Sequence, residues 1–176
     1  EQTDALKFLE KIDNKFDVSV LQGTTGSGKT LVYFERIKKI IENKNQALVL
    51  LPEIFLTNDF KTRFEDFFGF QPAIWHSKIT PKQKRIIWKG LISDKIKILV
   101  GARSALLLPF KKLGIIIVDE EHDASYKQDE GVIYNARDMA ISRAYFENIP
   151  VHLVSSVPSI ETVSYTHLTL PTSRSV

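Results

Sequence analysis

Two short runs of this sequence carry groups suited to holding phosphate and activating water. The first is GTTGSGKT, residues 23–30, which satisfies the pattern G-x-x-x-x-G-K-[ST] in full with Gly23, Thr24, Thr25, Gly26, Ser27, Gly28, Lys29 and Thr30. In such a turn successive backbone N–H groups and the start of the next helix can surround phosphate oxygens. Gly23, Gly26 and Gly28 let the backbone curl closely around the anion without a Cβ clash. Lys29 can then reach the outer phosphates, and Thr30 can place a hydroxyl on Mg²⁺. The second run is LGIIIVDEEHDASYKQDEG, where an acidic cluster stands directly behind an apolar stretch.

Two adjacent carboxylates repel unless a cation lies between them, so Asp119 and Glu120 make physical sense chiefly with Mg²⁺. Asp119 is the candidate to hold the metal, directly or through water, completing what Thr30 begins. Glu120 is the candidate to orient or deprotonate the attacking water, while Glu121 and Asp123 read as supporting or surface groups. His122 has two readings: its ring can hydrogen-bond across the nucleotide site and sense the γ-phosphate, or it is structural or solvated. His76, His122, His152 and His167 have no metal-ligand spacing and the chain has no cysteine, so no zinc site is expected.

These groups need a scaffold that brings turns at strand ends together. Short apolar runs alternate with amphipathic stretches, the pattern of a mostly parallel sheet covered by helices on both faces, a three-layer α/β domain. Strands are expected at residues 18–22, 47–51, 72–76, 97–101, 114–118 and 151–155. Helices are expected over residues 4–14, after the glycine-rich turn, from Thr57 to a stop at Gly69, over 81–91, and along ARDMAISRAYFE. In a parallel sheet ligands collect outside the carboxyl ends of the strands, and both Lys29 and the acidic cluster follow such ends.

The length of 176 residues suits one domain, and 43% apolar with 26% charged residues supports a folded core. A formal charge of +3 permits a polyanionic partner without establishing one. No apolar run has the length of a membrane helix and the start is unlike a secretory signal, so the expected compartment is the cytoplasm.

From the acidic cluster onward the chain resembles the helicases of superfamily 2. GTTGSGKTLVY, ALVLLPEIFLT, HSKIT, VGARSALLLPF, IIIVDEEHDASYKQDEG, YNARDMAISRA and VSSVPSIE together resemble the bacterial primosomal replication-restart DNA helicases, over residues 1–161. The resemblance implies the first RecA-like P-loop lobe of an ATP-dependent DNA helicase that moves 3′ to 5′ and needs ATP and Mg²⁺. It also implies single-stranded or forked DNA, single-stranded DNA-binding protein and primosome components as partners.

Carried over by position, Gln2 matches the glutamine that contacts adenine in related motors, and Gly28, Lys29 and Thr30 match the phosphate motif. Asp119, Glu120 and His122 match the metal and hydrolysis motif, and Pro52, Glu53 and Thr57 the motif after the second strand. Gly101, Ala102, Arg103 and Ser104 match a motif directed toward the nucleic-acid track, where the family commonly has threonine for Ala102. DASYKQDEGVIYNARD resembles the aromatic-rich loop that couples DNA contact to ATP hydrolysis. There Tyr126 can stack on a base or pack at a boundary, Lys127 can pair with phosphate, and Arg137 with phosphate or a nearby carboxylate. Val157 stands where the family has threonine, which removes a hydrogen-bonding group expected to link nucleotide state to DNA.

Beyond Glu161 the resemblance stops, and residues 162–176 contain no motor motif. The family's upstream DNA-binding region, cysteine-rich zinc module and second RecA-like domain are not in this sequence. The expectation is an incomplete motor with little activity alone. A competing expectation is a nucleic-acid-binding or protein-interaction fragment without productive nucleotide chemistry.

Overall fold

The computed structural model describes residues 15–24, 26–128 and 133–156. The expected first helix at residues 4–14, Gln2, Thr25, Val157 and the segment 162–176 lie outside them. Six strands form the central sheet: β1 (Asp17–Gln22), β2 (Gln46–Leu50), β3 (Ala73–Trp75), β4 (Ile98–Gly101), β5 (Leu113–Asp119) and β8 (Pro150–Ser155), in the order β1-β8-β5-β2-β4-β3. Every pairing in this sheet is parallel, as the continuous apolar runs required. A separate antiparallel ribbon pairs β6 (Lys127–Gln128) with β7 (Tyr134–Asn135).

Helices α1 (Lys29–Glu42) and α2 (Asn58–Phe68) cover one face, and α3 (Pro81–Ile92) and α4 (Ala136–Glu147) the other. The three-layer α/β reading therefore holds. On the first face Phe34 of α1 meets Phe60, Phe64, Phe67 and Phe68 of α2, with ring centroids 5.1 to 6.0 Å apart. That aromatic cluster joins the helix behind the phosphate turn to the helix behind β2. Aromatic pairs in such tilted and edge-on arrangements add about 0.5–1.5 kcal/mol each beyond area burial.

Local chemistry explains the helix ends. The Thr57 hydroxyl accepts the Phe60 N–H at 3.2 Å, and Gly69 closes α2 in a left-handed conformation, φ 78°. Thr80 and Gln83 form a reciprocal capping box around α3, with Pro81 at its first turn. Three short helical turns, Glu53–Phe55, Arg103–Leu107 and Ala124–Tyr126, had no periodic signal in sequence, and each lies within or directly after a site motif. Among the described residues no helix is long and apolar enough to cross a membrane.

Candidate functional site

The phosphate turn leaves the end of β1 and is held from the side by β8, since Gly23 N–H donates to the Ser155 carbonyl at 3.2 Å. Gly26 (φ 82°) and Gly28 (φ 84°) both occupy the left-handed region, where a side chain would be strained. Gly28 then caps α1, and the Ser27 N–H closes the turn onto Thr24 O at 3.0 Å. The Lys29 ammonium donates to the carbonyls of Gly23 and Thr24, so it lies over the turn it belongs to.

Asp119 is the last residue of β5 and only 7% exposed. Its Oδ2 accepts from the Tyr33 hydroxyl at 2.9 Å and its Oδ1 from the Glu120 N–H at 2.9 Å. Burial pushes its pKa up to about 6, the Glu120 charge adds to the rise, and Tyr33, the Glu120 N–H and Lys29 oppose it. Tyr33 is fully buried and its own pKa is raised well above the ordinary value, first by burial and then by Asp119, so it remains a neutral donor.

Glu120 has φ 50°, a conformation that costs a non-glycine residue of order 1 kcal/mol. The strain sits where the chain leaves the strand, and the turn is closed by Asp123 N–H to Glu120 O at 2.8 Å. Glu121 N–H donates to Val154 O at 3.1 Å, pinning the cluster to β8. The His122 ring shares a hydrogen bond with Ser155 Oγ at 2.8 Å through Nδ1, and its Nε2 lies 3.8 Å from Glu120 Oε2. The end of β8 thus touches both the phosphate turn and the acidic cluster.

Lys29, Thr30, Asp119 and Glu120 line one cleft of about 690 Å³ together with Gly26 and Gly28. Its far wall is Phe55 and the α2 residues Phe60, Arg63 and Phe67. A buried carboxylate with a raised pKa is one that a cation would stabilise, and Thr30 shares its cleft, so the residues fit Mg²⁺. Among the described residues no three of His, Asp or Glu gather as a metal cage. Mg²⁺ at such a site takes one or two carboxylates and the rest from phosphates and water.

A second groove, about 570 Å³, lies beyond the ends of β2 and β4 and is lined by Glu53, Ser77, Arg103, Ser104, Tyr126 and Tyr134 among others. Glu53 accepts from Ser77 N–H at 3.0 Å across it, which holds its pKa low. Ser104 is exposed and its hydroxyl accepts from Trp75 Nε1 at 3.1 Å. One Arg103 nitrogen donates to Ser125 O at 3.3 Å and Lys127 O at 2.5 Å, and Lys127 itself is exposed.

Two sequence readings had alternatives that the geometry separates. Tyr126 is 1% exposed, with its hydroxyl on Leu50 O at 3.0 Å and Asp119 O at 2.5 Å, so its ring is packed rather than open to a base. Arg137 is 4% exposed and pairs with Glu121 at 3.3 Å and Asp138 at 2.9 Å, so its partner is carboxylate rather than phosphate. Neither is a free DNA contact, because Tyr126 is packed with its hydroxyl on main-chain carbonyls and Arg137, in the first turn of α4, is held by two carboxylates.

Tyr33 and Ser155 were not singled out from sequence. The signal for Tyr33 was available: a tyrosine on the sheet-facing side of α1, one turn after Lys29, needs a buried partner for its hydroxyl. Ser155 had no such mark, since its role comes from β8 lying between β1 and β5.

The parallel sheet, the glycine-rich phosphate turn after one strand and the acidic pair after another define a RecA-like P-loop domain of the helicase class. The chain belongs to the DEAD/DEAH box helicase family, which it matches over residues 2–164. Within that family its sequence is of the PriA type, as the motif strings indicated. It is 47% identical over 163 residues to replication restart protein PriA of Rickettsia felis, covering 93% of this chain and 25% of that protein. It is 46% identical over 159 residues to the PriA of Helicobacter pylori strain J99, covering 90% and 25% respectively. The chain therefore spans about a quarter of the length of these relatives. Among solved structures, the DUF1998 helicase MrfA superposes with a TM-score of 0.66 at 23% identity, over 100% of this chain and 29% of MrfA. RecG gives 0.62 at 24% identity, over 93% and 21%.

Proposed function

We propose that this chain is the ATP-binding lobe of a 3′ to 5′ DNA helicase acting in replication restart in the cytoplasm. The observation that carries the reading is the single cleft shared by Lys29, Thr30, Asp119 and Glu120. The turn from Gly23 to Thr30 binds the phosphates of ATP through its N–H groups, and Lys29 neutralises the outer ones. Thr30 and Asp119 would hold Mg²⁺, which when bound would supply positive charge to the phosphate oxygens. Tyr33 keeps Asp119 in one rotamer. Glu120 orients the attacking water and takes its proton. His122, between Glu120 and Ser155, senses whether the terminal phosphate is present.

Closure around ATP needs groups from a second lobe, so this chain alone has little activity. DNA, single-stranded or forked, runs along the groove lined by Arg103 and Ser104, with Lys127 available for phosphate. Single-stranded DNA-binding protein and primosome components are the partners that PriA-type proteins imply. Tyr126 and Arg137 act in coupling as internal struts, not as DNA contacts.

The test is a pair of variants in the full-length protein. Glu120→Gln is expected to retain Mg·ATP binding while turnover drops by at least about 100-fold. Asp119→Ala is expected to weaken metal-dependent nucleotide binding as well, because it removes a partner used in both ground and transition states. Near-normal turnover by Glu120→Gln would sink the assignment of Glu120.

A further inference from the structure

The cleft that holds the phosphate turn has one more cation in its wall, and it comes from α2. Thr57, Phe60, Arg63 and Phe67 fall at spacings of three and four residues, so they form one stripe, and that stripe lines the cleft. Phe60 is buried in the aromatic cluster with Phe34 of α1, which fixes this stripe against the helix that begins at Lys29. Arg63 is exposed.

An arginine in this position has two ordinary partners on its own helix, Asp59 four residues before and Asp66 three residues after. It pairs with neither carboxylate. Its hydrogen bond is from Nε to the Asp59 main-chain carbonyl at 3.4 Å, and among the described residues its terminal guanidinium nitrogens have no partner. A planar fork of donors therefore lines the same cleft as Lys29, Asp119 and Glu120.

The sheet order says which part of a nucleotide would meet it. The phosphate turn leaves β1, the acidic pair leaves β5, and α2 follows β2, which is the strand beyond β5. Across the cleft the order is thus glycine turn, acids, α2. A polyphosphate anchored at its inner groups by the turn extends toward the acids with its terminal group, the end nearest α2.

On the reading of this cleft as a nucleotide site, we propose that Arg63 is a nucleotide-contact residue for the terminal phosphate of a nucleoside triphosphate. Its guanidinium donates to the phosphate that ADP lacks, so this lobe distinguishes triphosphate from diphosphate before any second lobe closes. Arg63 is matched to that task by shape as well as charge, because a fork binds a phosphate face with two parallel hydrogen bonds.

The experiment measures binding of fluorescently labelled Mg·ADP and of a labelled non-hydrolysable triphosphate analogue to the 176-residue chain and to its Arg63→Ala and Arg63→Lys variants. Arg63→Ala is expected to leave Mg·ADP affinity within about twofold and to weaken the triphosphate about tenfold. Arg63→Lys should recover part of that loss. Unchanged Mg·ADP binding also shows that the variant is folded. An equal effect on both nucleotides, or none on either, overturns the assignment while leaving the nucleotide site standing. Wild-type protein that binds neither nucleotide would instead overturn the nucleotide reading, and the role of Arg63 with it.

Discussion

The Tyr126 hydroxyl donates to the main-chain carbonyl of Asp119 across 2.5 Å, in a part of the core where the tyrosine is 1% exposed. Two residues far from each other in role, one in the aromatic-rich loop and one at the acidic strand end, are therefore in direct contact. The same hydroxyl lies 3.0 Å from Leu50 O at the end of β2. Tyr126 ties the loop to two strands at once.

This geometry changes what substitutions of Tyr126 should do. Tyr126→Ala opens a core cavity and is expected to cost about 3–5 kcal/mol, lowering melting temperature and nucleotide affinity together. Tyr126→Phe keeps the ring and removes only the buried hydrogen bond, for about 1 kcal/mol. In the full-length protein the Phe variant should retain basal ATPase and lose part of its stimulation by single-stranded DNA. Full stimulation in a stable Tyr126→Phe protein would show that the contact with Asp119 carries no coupling.

Arg103 tests the proposed coupling from the side of the groove. It grips Ser125 O and Lys127 O on either side of Tyr126 from a half-exposed position at the groove. Arg103→Ala is expected to cost no more than about 1 kcal/mol of stability. Its larger effect should be on DNA-stimulated ATPase, read across a single-stranded DNA titration. A variant with normal stimulation would show that Arg103 has no part in coupling.

Much of this was legible in sequence because several signals agreed. Continuous apolar runs marked β4 and β5, Thr57 and Gly69 bracketed α2, and the string from Gly23 to Thr30 sat between a strand and a helix. What could not be read is which side a residue turns to in a short irregular segment. Tyr126 and Arg137 lie in or next to such a segment, where no periodicity separates inside from outside. The placement of Ser155 beside Gly23 and His122 depends on strand order, a long-range property of the sheet.

The buried pair Arg137 and Glu121 gives a stability prediction. Both are nearly inaccessible, at 4% and 2%, and their charged groups are 3.3 Å apart. Arg137→Ala removes the cation 3.3 Å from the buried Glu121 carboxylate and is expected to cost about 3–5 kcal/mol, with part recovered in the double variant Arg137→Ala, Glu121→Gln. Denaturant melts of wild type, Arg137→Ala, Glu121→Gln and the double variant measure this. Additive losses would mean that the two groups are not coupled.

His152 supplies an acid limb. It is 1% exposed, its Nδ1 meets the Ser19 hydroxyl, and its Nε2 finds no hydrogen-bond partner among the described residues. Burial, and then repulsion from Arg36, lower its pKa from 6.5 to about 3. Between those values the unfolded chain binds a proton that the folded chain does not, so this contribution is complete above 6.5 and is lost as pH falls. The loss is on the order of 3 kcal/mol by pH 4. Asp119 acts in the opposite direction between about 6 and 3.8, since its folded pKa is raised. The readout is therefore the difference in stability between wild type and His152→Gln, which should grow in favour of the variant as pH falls from 6.5 to 4. Parallel curves would contradict the assignment.

Calorimetric titration of the 176-residue chain with Mg·ADP shows whether the turn from Gly23 to Thr30 is a nucleotide-phosphate site. Saturable one-to-one binding is expected, weakened at least about tenfold in a folded Lys29→Ala variant that lacks the ammonium proposed to make charge-assisted bonds to the outer phosphates. No saturable binding at millimolar nucleotide, or equal affinity in the Lys29→Ala protein, would contradict it.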